Sequence, residues 1–345
     1  MRRFLFTAPA LAALCALTFS AAPLHAQTPY QIQHTWKLGG DGGWDYLAVD
    51  PASKLLYITR GTHVMVVDTA QGKQVADIPG LHGIHCVVFS TDGVHGYITD
   101  GGANQVAVFD RRTNTIQKTI PVGDHPDGAV FEPVTKTVWA FNGRSHNVSV
   151  IDTNTDTVVA TIELPGKPEF PVADGRGNVY DNIEDKSQIV RLDAAAHTVT
   201  AAWSILPCEG PSGLAIDPAH RRLFAVCDAK MAVVDADSGK VIATPDTGDG
   251  PDASRFSKAD QVAFSPNGGS GTLTIVHEDT PDKFTVVQTL ATLRGARTMA
   301  MDPDGSRVYL VTAEFGPRPT AATPDNPRMR PPMLPGSFTV LAIGH

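Results

Sequence analysis

The sequence predicts an all-β protein, a seven-bladed β-propeller with four antiparallel strands per blade and a last blade closed by the N-terminal strand. Three observations point there. Aspartates ending the third strand of successive units, Asp68, Asp110, Asp152, Asp193 and Asp235, are spaced by 42, 42, 41 and 42 residues, and a further 42 reaches His277 in "LTIVHED". The turn after the first strand gives a second ladder at Asp50, Ser90, Glu132, Asp174, Asp217, Ser257 and Asp302, in steps of 40 to 45. Finally, the seventh unit stops after a third strand, "SFTVLAI", while "YQIQHTWKL" (30–38) precedes the first unit unpaired. A period of 40–50 residues with four strands marks a propeller, and a closed ring leaves only short outer edges unpaired.

Taken in order, residues 1–26 read as a cleavable signal peptide. Arg2 and Arg3 form a charged start, "FLFTAPALAALCALTF" is apolar, and Leu24-His25-Ala26 ends in a small residue. A membrane anchor is the weaker reading because Pro9 interrupts the run, and Leu14 disfavours lipidation of Cys15. Residues 27–345 then form one propeller domain, exported to the periplasm or secreted. Unit one reads as the strands "DYLAV", "LLYIT", "HVMVV" and "KQVADI", separated by "DPASK", "RGT" and "DTAQG". Val, Ile, Thr and aromatics fill the strands, and Gly, Asp, Asn and Pro fill the gaps. Helix-length amphipathic segments are missing, so an α/β reading fails. The repeat breaks once, at the proline-rich insertion 315–337, where about 24 extra residues delay the last third strand. Its seven prolines are expected to deny it helix or ladder. Arg318, Arg328 and Arg330 against Asp325 make it basic, and it reads either as a surface extension or as a flap over the channel mouth, with Met329 and Met333 as apolar contacts.

Tyr57-Ile58-Thr59-Arg60 and Tyr97-Ile98-Thr99-Asp100, each followed by a Gly loop and a V-x-V-x-D strand, resemble the YVTN-repeat β-propellers, specifically YncE-like exported proteins. The likeness covers essentially the whole chain after residue 26, with units four ("NVYDN") and six ("QVAFSP") degenerate. It implies the fold strongly and activity hardly at all, because propellers host lyases, lactonases, dehydrogenase subunits and binding scaffolds.

Removing 26 of 345 residues leaves 319, and losing Arg2 and Arg3 takes the net charge from −8 to −10. A general electrostatic grip on nucleic acid or anionic lipid is therefore not expected. Among the remaining cysteines, Cys208 enters blade five and Cys227 ends its second strand, so both fall at the same end of one blade and are expected to form a disulfide. Cys86 belongs to blade two and is left over.

Counting back five positions from each first-turn anchor gives a ring of equivalents, Asp45, His85, Asp127, Glu169, Ser212, Asp252 and Arg297. Positions −1 and −3 are mostly apolar and line the channel, while −5 turns polar at its mouth. Three readings stay open: strand-end capping between blades, a cation or divalent metal site, or recognition of a polar ligand through the Arg297 fork. For a metal, His85, His125 and Asp127 are the candidate ligands, with His82 beside them and His63 and His146 on neighbouring loops. "GDGPDASRF" (248–256) lacks EF-hand spacing and reads as a Gly-Pro turn. The "NVS" sequon at 147–149 falls on a strand. No HExxH, paired CxxC or GxSxG motif occurs.

The leading expectation is a binding protein, probing a small ligand or protein partner with the mouth, monomeric and without a membrane span. The alternative is a metal-assisted lactonase or lyase at the acidic ring. Single-stranded DNA binding enters through the YncE-like resemblance. It would need stacking on Trp44, Tyr46 and Phe170 beside Arg255 and Arg297, a thin supply.

Overall fold

The computed structural model describes Met1, residues 28–321 and residues 331–345. The signal-peptide reading, and Met329, Arg328, Arg330 and Asp325 of the insertion, lie outside the described residues. Seven four-stranded antiparallel sheets form a ring of blades, each numbered from the channel outward. Blade one runs Leu47–Val49, Leu55–Thr59, Val64–Asp68 and Lys73–Ile78, and five further blades repeat this order. Among the described residues the only helical element is the turn Glu184–Lys186, and no helix is long and apolar enough to cross a membrane.

Turn chemistry explains the first aspartate ladder. Asp68 accepts the backbone N–H of Ala70 and Gln71, and Asp110, Asp152, Asp193 and Asp235 each take the N–H groups two and three residues on. One carboxylate thus caps the third-to-fourth-strand turn in each of blades one to five. Between blades the contacts are mostly apolar, and the second and third strands are almost wholly buried.

The last blade is composite. Met299–Met301, Arg307–Thr312 and Thr339–Gly344 supply three strands, and Gln31–Lys37 pairs antiparallel with Thr339–Gly344 as the fourth. This outer strand also reaches both neighbours. The Tyr30 hydroxyl donates to Asp260 at 2.6 Å, and Gln288 exchanges two hydrogen bonds with the Tyr30 backbone, tying blade six. At the other end Trp36 lies on Gly72 of blade one, where a Cβ would come within 2.4 Å of the indole, and φ of +64° also demands glycine.

Cys208 and Cys227 are joined by a disulfide, and Cys86 is a buried free thiol. Burial pushes the Cys86 thiol up to about 12, so it is inert at neutral pH. Closing a loop of 19 residues stabilises the fold by roughly 3 kcal/mol. We expect a Cys208→Ser/Cys227→Ser variant to unfold at a lower denaturant midpoint, with an unfolding free energy smaller by about 3 kcal/mol. Equal midpoints would show that the bridge does nothing for stability.

The insertion differs from expectation at its base. Phe315 and Met333 form a β-bridge, with Gly316 N–H donating to the Pro332 carbonyl and Leu334 N–H to the Glu314 carbonyl. Prolines lack a donor but keep an acceptor, so a two-rung ladder survives where glycine and leucine supply the N–H groups. Phe315 packs on Trp44 at 6.0 Å, and Met333 joins the core between blades seven and one.

Candidate functional site

All seven ring residues are half-buried at the mouth, although simple strand alternation is not what puts them there. In blades two, three and four the pairing of first with second strands shifts register between Ile84 and Val87, Pro126 and Ala129, and Pro168 and Pro171. His85, Asp127 and Glu169 therefore sit at bulges, which re-aim side chains. Their backbones remain pinned: Thr59 Oγ1 donates to the His85 carbonyl at 3.1 Å and Thr99 Oγ1 to the Asp127 carbonyl at 2.7 Å. Thus the threonines of the repeat motif fasten one blade's second strand to the next blade's first.

The ring breaks into unequal parts. His85 Nδ1 lies 2.6 Å from Asp45 Oδ2 and 3.6 Å from Asp127 Oδ1, and one ligand atom from each of the three residues lies within 4.8 Å of the others. The His125 ring meets His85 edge-on at 4.9 Å, but His125 is not among that close trio. His85 Nε2 and His125 Nδ1 are buried without a hydrogen-bond partner. A Cβ on Gly101 would lie 2.9 Å from the His85 ring, so glycine there makes room for the imidazole. Across the ring Arg297 Nε donates to Asp252 Oδ2 at 2.5 Å. Ser212 instead donates to the Pro251 carbonyl at 2.8 Å, a bond between blades. Of the outlying histidines, His82 and His146 are exposed on loops, and His63 lies 4.0 Å from Asp77.

Three participants were not legible from the ring. Lys167 forms a salt bridge to Glu169 at 3.0 Å and also pairs with Glu184. Below the mouth the channel is walled by Tyr46, Val88, Val130, Phe170 and Ile216, with Arg255 set over Phe170 at 5.0 Å. Asp181 is the third. On the second strand of blade four it occupies the place of Ile58, Ile98, Ala140, Ala225 and Leu310, is fully buried, and has no side-chain hydrogen-bond partner, only the backbone of Glu169 nearby. The signal for it was present in "NVYDN", a charge where five of the other six blades are apolar and blade six carries Ser265.

Electrostatics follow from crowding acids in a dry bowl. Burial, with Asp45 and Asp252 adding to it against His85, raises the Asp127 carboxyl to about 7. Burial and the neighbouring Asp127 raise Glu169 to about 8 despite Lys167. Asp252 is raised by burial against Arg297, and Asp181 goes well above the ordinary range through burial and Glu169. His85 is raised because, although burial opposes its charge, the Asp45 hydrogen bond and the surrounding carboxylates outweigh it. Five carboxyls thus face three cationic groups, His85, Lys167 and Arg297.

Asp181 gives a direct test of that crowding. We expect Asp181→Ala, which copies Ala140 and Ala225 in the adjoining blades, to stabilise the protein at pH 8 by about 1–3 kcal/mol, because a buried carboxyl with no side-chain partner is removed. Loss of stability in a denaturant titration would show that this carboxyl has a stabilising partner.

No family model matches the chain. It is 29% identical over 149 residues to the protein YncE of Salmonella typhimurium strain LT2, and 28% identical over the same length to YncE of Salmonella typhi. Each match spans 41% of this chain and 42% of the relative. Similar solved structures include the Mitotic Checkpoint Complex (TM-score 0.74, 12% identity, 99% of each chain) and the RRP9 WD40 repeats (TM-score 0.73, 10% identity, 91% of this chain and 97% of the other). The Kuenenia stuttgartiensis hydrazine synthase also matches (TM-score 0.67, 17% identity, 79% and 93%). At these identities the structures show the propeller fold alone.

Proposed function

We propose that this is an exported, monomeric propeller of the YVTN-repeat kind, delivered by residues 1–26 to the periplasm or outside the cell, that binds a small cationic ligand at its channel mouth. The observation that supports it is the charge imbalance of Asp45, Asp127, Glu169, Asp181 and Asp252 over their cationic neighbours, in a setting buried enough to raise Asp127 to about 7 and Glu169 to about 8. A bound cation takes the place of the protons that these raised carboxyls otherwise hold, and the apolar channel wall beneath supplies contact for an organic one. Two sources of that charge suit the donors: a divalent metal at Asp45, His85 and Asp127, or an organic ammonium spanning Asp127 and Glu169.

Calorimetric titration separates them, with Mn²⁺ and putrescine as probes. Saturable binding of one of them, weakened at least tenfold by Asp45→Asn/Asp127→Asn, is the expected result. Equal weak binding of both probes to parent and variant would refute the proposal.

A metal-assisted hydrolase or lyase is the second reading, favoured by the close Asp45–His85–Asp127 trio and by Glu169, which is poised as a proton donor near neutral pH. Turnover of a lactone, lost with Glu169→Gln while metal binding persists, would select it. The single-stranded DNA reading gains nothing from the side chains it needs. Trp44 packs against Phe315 and Phe338, Tyr46 against Phe170, and Arg297 is held by Asp252.

A further inference from the structure

On the face opposite the mouth, the repeat contains its own control. Arg111, the residue after the third-strand anchor of blade two, reaches back to Asp50, the first-turn anchor of blade one, and the two form a buried salt bridge. The same step, 61 residues, connects Asp217 of blade five with Glu278 of blade six. There the repeat has placed an acid against an acid. His220 stands between them, its Nδ1 2.8 Å from Asp217 Oδ2 and 3.0 Å from Glu278 Oε1.

A proton on the imidazole does not resolve this arrangement. Nδ1 carries at most one hydrogen and so satisfies at most one of the two carboxylates it touches, while Glu278 Oε2 is left without a hydrogen-bond partner. Glu278 is only 2% exposed, so water does not satisfy it from outside. Nearby arginines are already engaged: Arg222 binds Asp235, Asp282 and the Pro281 carbonyl, and Arg221 binds Asp174 and Asp237. Asp217 spends its oxygens in part on the N–H groups of Ala219 and His220, which fixes its orientation toward the cluster.

We propose that Asp217 and His220 of blade five and Glu278 of blade six form a divalent-cation site that staples these two blades. One imidazole nitrogen and two carboxylate oxygens, with ligand atoms of all three within 4.8 Å of one another, suit a borderline ion such as Zn²⁺ or Mn²⁺ better than an all-oxygen ion such as Ca²⁺. His220 is the partly exposed member, so a fourth position opens to water. The ion takes the role that the Arg111 guanidinium plays between blades one and two.

The test uses the full chain carrying Asp45→Asn/Asp127→Asn, so that the mouth does not compete, stripped with chelator and titrated with Zn²⁺, with Ca²⁺ as the comparison. One Zn²⁺ per chain and a raised melting temperature are expected, with at least about tenfold weaker binding after Glu278→Gln or His220→Ala. Glu278→Arg should rebuild the Asp50–Arg111 type of pair, so that the metal-free protein melts higher than its parent and Zn²⁺ no longer shifts it. No stoichiometric uptake by the parent, or uptake unchanged in both the Glu278→Gln and His220→Ala variants, would overturn the proposal.

Discussion

Deleting residues 30–38 should cost the ring on the order of 5 kcal/mol, a third or more of an ordinary domain's stability. The strand lost is more than the edge of one sheet. Its six ladder pairs with Thr339–Gly344 go, and so do the Tyr30 bonds to Asp260 and Gln288 in blade six and the Trp36 contact on Gly72 in blade one. Burying a Tyr or Trp side chain is worth about 2–3 kcal/mol each, and the exposed third strand becomes a new edge for aggregation. Thermal unfolding measures this. A truncated protein that melts cooperatively at the parent temperature would show that closure does not depend on the strand.

The second large effect is on pH. Asp127, Glu169, Asp181, Asp252 and Glu278 all have carboxyls raised in the folded state, against about 4 in an unfolded chain. Their contribution is fully present below the unfolded value and is lost as pH rises through the folded values, about 7 for Asp127 and about 8 for Glu169. His85, also raised, acts in the same direction. Asp50, Asp174 and Asp279 have lowered carboxyls, so the stability they supply is lost as pH falls below about 4. The ligand-free protein should therefore be most stable near pH 5 and lose several kcal/mol by pH 8.5. Glu169→Gln combined with Asp181→Asn should flatten the alkaline side. A parent profile already flat from pH 5 to 8.5 would mean that these acids are not crowded.

Much of this architecture is written in the sequence because each blade repeats the same local chemistry. The Asp68-type turn cap recurs in five blades, so its period survives even where the strands of units four and six drift. The complementary ends give the closure, and counting back five residues finds the mouth. What counting misses depends on neighbours around the ring rather than along the chain. Lys167 lies outside the ring register, yet the bulge in blade four brings it against Glu169. Asp217 and Glu278 read as an ordinary anchor and a strand end until the blades are set side by side, 61 residues apart in sequence and in contact through His220. Likewise, seven prolines conceal the short bridge at the base of the insertion, because composition records lost donors and not retained acceptors.

The central claim, that the acidic mouth holds a cation, is tested most directly by locating one. Crystals grown with Mn²⁺, and separately with putrescine, should show bound density in one of the two cases at the mouth, in contact with Asp127 and with Asp45 or Glu169. Mouths filled only by water in both crystals, with Arg297 and Asp252 still paired and all four carboxyls of the ring unchanged, would contradict it.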